Sequence, residues 1–243
     1  MIKGLHIAKA GMLPQQRRLE VNANNLANMN TIGYKKDKVY FRNLINEKLS
    51  EETDNDQAAA NTGAVVTDFT RGSFKETGNP FDLAIDGEGF FVINTPKGEF
   101  YTRNGNFSLN PEGRLITADG YSVMGNSGEI QINGTDIRIT DNGTIMVDGQ
   151  NVDALRIVKF EDPTQIIKMG SSYFSQAEGA DVIDMDASEI KIRTGFLEGS
   201  NVSGMEEMVS MIELYHQFEM GQKVIASQNQ TLEKLINDAS RVG

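Results

Sequence analysis

Residues 203–239 read SGMEEMVSMIELYHQFEMGQKVIASQNQTLEKLINDA, and this stretch decides the fold class. It holds no proline, and Gly221 is its one interior glycine. Met211, Phe218, Ile225 and Leu232 fall seven residues apart. Such a repeat draws one narrow apolar stripe along a helix, the pattern of a helix–helix seam rather than of a globular core. Ser203 and Glu206, three residues apart, form a capping box that satisfies the first free N–H groups of the helix. At 1.5 Å per residue the helix is roughly 50 Å long, more than one face of a small β domain needs. Gln222 and Asn229 add polar seam positions of the kind that fix register. The competing reading is an amphipathic helix folded back on its own domain.

The other end of the chain repeats the pattern. Leu5, Met12, Leu19 and Leu26 are again spaced by seven, so a first helix is expected from about residue 3 to 29. Pro14 lies inside it, without an N–H and in conflict with the carbonyl of Ala10, which predicts a kink or restart. Gly33 offers the left-handed residue that ends a helix. The expected fold is therefore mixed α and β. Paired N- and C-terminal long helices of coiled-coil type flank an inserted all-β antiparallel domain. The boundaries are an N-terminal helix over 1–40 pairing with 197–243, an extended connector over 41–75, a β-rich middle over 76–196 and the C-terminal helix over 197–243.

The connector is marked by the acidic, small-residue run SEETDNDQAAANTG at 50–63. After it come short apolar or alternating runs punctuated by Asn104-Gly105, Asp119-Gly120, Asn133-Gly134, Asn142-Gly143 and Asp148-Gly149. These dipeptides suit tight hairpin turns, so the middle reads as an antiparallel meander, with barrel and sandwich both open.

Composition narrows the function classes. The net charge of −11 opposes a nucleic-acid or anionic-membrane partner. It is unevenly spread: residues 1–50 carry nine Lys/Arg against three Asp/Glu, while 197–243 carry seven acids against three bases. Opposite signs favour pairing of the two ends, within one subunit or between subunits. There is no cysteine, hence no disulfide, thiolate zinc site or cysteine nucleophile. Residues 1–13 are too broken by Lys, Gly and His for a secretory signal, and no apolar run is long enough to span a membrane. His6 and His216 have no metal-ligand spacing. Asp86-Gly87-Glu88-Gly89 meets neither the calcium-loop nor the dinucleotide pattern. No pair of carboxylates is singled out for hydrolysis. No catalytic, cofactor, metal or small-molecule site is expected.

The segment Asn24-Asn25-Leu26-Ala27-Asn28-Met29-Asn30-Thr31-Ile32-Gly33-Tyr34-Lys35 resembles the N-terminal signature of bacterial flagellar basal-body rod and hook proteins. Phe81–Phe91, Tyr101–Phe107 through Gly120, Gly195–Val202 and Glu207–Ile212 resemble further stretches of that family, in its order. The resemblance implies a non-enzymatic subunit whose terminal helices pack around the axis of a tube, with the β middle outside. It also implies torque transmission from motor to hook, and residence in the rod across the periplasm. The implied partners are further copies, other rod and hook proteins, and the flagellar type III export apparatus, through which the chain leaves without a cleaved signal. Tyr215-His216-Gln217 departs from the family's usual residues there, as does Pro14. Phe218-Glu219-Met220 is similar to the proximal-rod branch, while Met1–Leu5 is as similar to the distal; the balance leans proximal. The rivals are a helix-dimerised β-domain binder of glycans or surfaces and a wall-cleaving enzyme.

The two heptad stripes are the candidate assembly seam. Asn24, Asn25, Asn28 and Asn30 have two readings, hydrogen bonding between subunits or local capping and turn formation. Gly33 is explained by its turn alone.

Overall fold

The computed structural model describes residues 2–40, 64–162, 165–177 and 179–239. Helix α1 spans Ile2–Ala27 and helix α2 spans Gly204–Ala239. Between them, among the described residues, lie nineteen short strands in five sheets, and the pairings within the β unit are antiparallel. The chain divides into two compact units. One holds α1, the strand Asp37–Tyr40 and α2; the other comprises 28–36 and 67–202.

In the β unit seven strands of a ten-stranded sheet run in the order Ile166–Lys168, Tyr173–Gln176, Gly98–Thr102, Phe90–Thr95, Ser122–Gly125, Leu115–Thr117, Phe107–Leu109; off this path Gly128–Glu129 pairs with Ser122–Gly125, and Ile157–Phe160 pairs with both Phe90–Thr95 and Val182–Asp184. The first four residues of Phe90–Thr95, Phe90 to Ile93, are all apolar and all buried, because both faces are covered there. Phe91 and Ile93 join Leu83, Ile85, Phe107, Leu115 and Val123 in the larger core. Phe90 and Val92 point the other way, onto Tyr101, Val158 and Phe174. Alternation of side chains along a strand makes one hexapeptide serve both clusters.

The turn chemistry holds in part. Asp148 (φ 51°) and Gly149 (φ 80°) both take positive φ, the primed turn that suits a two-residue hairpin. They join Thr144–Val147 to Gln150–Ala154. Gly105 and Gly134 do not take positive φ, so Asn104-Gly105 and Asn133-Gly134 are not such turns. Gly105 is needed for space: a Cβ there would lie 1.7 Å from the carbonyl oxygen of Leu83, and the Leu83 N–H donates to the Gly105 carbonyl at 3.0 Å.

The expected fold class is corrected. The β portion is not one insertion between two helices, because the chain passes between the units four times, at 27/28, 36/37, 66/67 and 202/203. Nor do the terminal helices form a coiled-coil pair of long matched seams. Their side chains are described over 11–27 and, with 232 left aside, 204–234. Within those spans Met12, Leu19, Leu26, Met211, Phe218 and Ile225 are only half-buried, while the fully buried side chains are Val21, Asn25 and Leu214, off both stripes. The side chains of Leu5 and Leu232 lie outside the described residues, as does the 50–63 run. The physical reason lies in α2, whose apolar residues are not confined to one stripe, so one seam cannot cover them.

Pro14 does not break α1, which continues from Ile2 to Ala27 with the proline inside it. The missing N–H costs one intrahelical bond, and the surrounding turns hold the helix together. Residues 37–40 are a strand paired with Ala64–Thr67.

Candidate functional site

Helix α2 begins with Ser203 at the cap position, its carbonyl accepting from the Glu207 N–H at 3.0 Å. Glu206 and Glu207 stand in the first turn, where negative charge complements the helix dipole. One face of α2 meets α1. Asn22 Nδ2 donates to Ser210 Oγ at 2.8 Å, and a Cβ on Gly221 would lie 3.3 Å from Met12 Cγ. The opposite face carries Met205, Met208, Val209, Ile212, Tyr215, Met220 and Val224, all about half exposed or more, with Met205 at 76% and Ile212 at 59%. At 100° per residue these positions gather on the side of the helix away from Met211, Leu214 and Phe218. The sequence reading singled out the inner stripe and missed this outer one. Its signal was present as a second apolar set offset from the first.

The Asn-rich motif splits between the units. In the helical unit Asn25 is 1% exposed, and its amide brackets Asp37: Nδ2 donates to the Asp37 carbonyl and Oδ1 accepts from the Asp37 N–H, both at 2.9 Å. A side chain here supplies the hydrogen bonds of a missing neighbouring strand. Leu26 is half-buried, and Asn24 and Ala27 are exposed.

In the β unit Asn28 and Thr31 make the turn after α1, with the Thr31 N–H on the Asn28 carbonyl and the Thr31 hydroxyl on Asn28 Oδ1. Asn30 is exposed there. Gly33 takes φ 69°, and a Cβ on it would lie 2.4 Å from the Asn104 nitrogen. The turn alone therefore does not account for Gly33; close approach of two backbones adds a second demand. Tyr34 is fully buried, with the Lys168 ammonium 3.9 Å from its ring centroid.

Next to Tyr34 is a feature no sequence rule singled out. Lys35 and Glu198 are both 0% exposed and paired at 2.7 Å. Lys35 Nζ also donates to the Thr70 carbonyl at 2.9 Å. Arg103 Nη1 reaches the other Glu198 oxygen at 3.4 Å, and Nη2 donates to the Gly87 carbonyl at 2.8 Å. Glu198 Oε1 further accepts the Gly72 N–H at 3.0 Å. Burial pulls the Lys35 and Arg103 groups below their ordinary values, opposed in each case by the neighbouring Glu198 carboxylate. Each of the three lies in a different stretch that carried the family resemblance. Their mutual contact is invisible in one dimension because 163 residues separate Lys35 from Glu198.

Among the described residues no group of three or more His, Cys, Asp or Glu is placed to hold a metal ion, and no helix is long and apolar enough to cross a membrane. The geometry offers instead an outward apolar helix face and a β unit closed around a buried ionic knot.

Comparison with known proteins agrees. Residues 5–35 match the family model described as flagella basal body rod protein. Residues 84–147 match the flagellar hook protein FlgE/F/G D1 domain, and 193–238 the flagellar basal body rod FlgEFG protein C-terminal region. The chain is 35% identical to the flagellar basal-body rod protein FlgG of Agrobacterium fabrum, over 93% of this chain and 95% of that one. It is 31% identical to FlgG of Bacillus subtilis, over 98% and 99%. It is 32% identical to the rod protein FlgF of Mesorhizobium japonicum, over 90% of each. Extent and identity together place the chain: it belongs to the flagellar basal-body rod protein family.

Proposed function

We propose that this protein is a structural, non-enzymatic subunit of the flagellar basal-body rod, assembling with copies of itself and with other rod and hook proteins into the shaft that carries torque from motor to hook. The observation that carries this reading is the outer face of α2. Seven large apolar side chains stand in water on a helix whose other side is already in use. Large exposed apolar patches mark surfaces meant to be covered, and burying one such side chain contributes roughly 1.5–3 kcal/mol. Repeated at every subunit, that suffices to hold a helical assembly together. Leu5, Met12, Leu19 and Leu26 and the stripe Met211, Phe218, Ile225 and Leu232 remain proposed contributors to contacts within and between subunits.

Family membership supports a place in the flagellum. The route there, export through the flagellar type III apparatus without a cleaved signal, is part of the proposal, with residues 1–40 as the region read by that apparatus. No observation favours the glycan- or surface-binding alternative.

The test is mass spectrometry of purified hook–basal bodies with absolute quantification. The reading requires this chain at a fixed stoichiometry per basal body. Its absence from intact particles, in cells that express it and swim, would sink the reading.

A further inference from the structure

The segment that leaves α1 and the segment that leads into α2 are tied to each other inside the β unit. The Gly33 N–H donates to the Glu198 carbonyl at 2.8 Å. The Lys35 ammonium donates to the Glu198 carboxylate at 2.7 Å. The Lys36 N–H donates to Asn201 Oδ1, also at 2.7 Å. A third segment closes over both: Asn201 Nδ2 donates to the Asp68 carbonyl at 2.8 Å, and the Gly72 N–H donates to Glu198 Oε1.

We propose that Glu198, Lys35 and Arg103, together with Asn201 through its bonds to the Lys36 and Asp68 backbone, are positioning residues that clamp these segments together, so that both chain ends leave the β unit at one fixed place. The chemistry favours a clamp over a simple contribution to the core. One carboxylate serves two cations and a backbone N–H drawn from three separate segments, so losing its charge releases all three at once. The two large apolar clusters contain none of 28–36 or 198–202, so they do not need the clamp to stay closed. Apolar contacts tolerate sliding, whereas ionic groups with fixed hydrogen-bond directions specify register, a role for which buried polar groups are suited. Arg103 is anchored from the sheet side, on the carbonyls of Ile85 and Gly87 and over the Phe90 ring at 5.3 Å. The clamp is thereby referenced to the main sheet. Its value for assembly rests on the rod reading: a subunit that carries torque needs its ends held in register with its body.

The experiment is hydrogen exchange on the full-length protein, comparing wild type, Glu198→Gln and the milder Asn201→Ala, which cuts the Lys36 and Asp68 ties and leaves every buried charge paired. Peptides covering 28–36 and 67–73 should exchange at least tenfold faster in both variants. Peptides covering Phe90–Thr95 and Ser122–Gly125 should stay within about twofold of wild type in Asn201→Ala. Uniform acceleration across the β unit in Asn201→Ala, or no change in 28–36, overturns the clamp. Basal bodies from cells expressing Asn201→Ala should contain less than a tenth of the wild-type amount of this chain; normal incorporation with the clamp open overturns its role in assembly. If the wild-type chain itself is missing from basal bodies, the rod reading fails, while the exchange result still decides the clamp.

Discussion

Glu198 accepts a hydrogen bond from Lys35 at 2.7 Å with neither side chain exposed to solvent, and this pair joins the segment that follows α1 to the segment that leads into α2. Taking both charges out of water is costly, and their attraction returns that cost only while both are present. The two groups are best understood as interdependent.

Lys35→Met should therefore destabilise the β unit by about 3–5 kcal/mol, the range for breaking a buried pair. Lys35→Met with Glu198→Leu should cost clearly less than the sum of the singles, because no charge at that pair is then left behind. Urea unfolding followed by near-ultraviolet dichroism reads both. The pair also sets a pH dependence. The Lys35 value is lowered in the folded state from 10.5, chiefly by burial, so between the two values the unfolded chain binds more protons. Stability then rises with pH through that alkaline window. The difference curve between wild type and Lys35→Met should show this rise; a flat difference would contradict the burial effect.

Gly105→Ala should fail more severely than its half-buried neighbours Asn104 and Asn106 suggest. Its new Cβ would lie 1.7 Å from the Leu83 carbonyl oxygen, and that carbonyl belongs to a fully buried strand, Leu83–Ile85. The expected loss exceeds about 4 kcal/mol, the range reserved for overpacking and strain. Soluble expression with an unchanged melting temperature would show that the two backbones separate easily.

Asn25→Ala should cost about 1–3 kcal/mol, since it leaves the half-buried N–H and carbonyl of Asp37 without their side-chain partners. The loss belongs to the helical unit. Amide exchange at Asp37 should accelerate, while the β unit's urea midpoint stays where it was. A change confined to assembly, with Asp37 exchange unaltered, would favour the reading in which Asn25 bonds between subunits.

Two charge substitutions two residues apart should separate the faces of α2. Leu214 is 6% exposed, so Leu214→Asp buries a charge and should loosen the helical unit. Ile212 is largely exposed, so Ile212→Asp should change the stability of the free subunit by no more than about 0.5 kcal/mol. It should nevertheless abolish incorporation into basal bodies and swimming. Normal motility of Ile212→Asp would remove the outer face from the assembly account.

Much of this organisation is legible in one dimension, and the misses have physical causes. The helix α2 is announced by its cap and its freedom from proline, because capping and propensity are local properties. The antiparallel β character of the middle emerges as expected, because hairpin turns and alternation are also local. Pro14 predicts a break that does not occur, since one lost hydrogen bond is a small fraction of what a 26-residue helix holds. Asn104-Gly105 misleads because the same glycine that permits a turn also permits close backbone approach, and only coordinates tell the two apart.

The sequence by itself determined that both ends are helical, that the middle is antiparallel β, and that the chain resembles axial flagellar proteins rather than an enzyme. Those conclusions rest on local periods, caps and motifs, which need no knowledge of what lies opposite. The tertiary structure alone decided that the chain crosses four times between its units and that α2 keeps a second apolar face in water. It alone brought Lys35, Arg103 and Glu198 to one buried point. Burial and ion pairing are properties of neighbours in space, and residues separated by most of the chain become neighbours only when it folds.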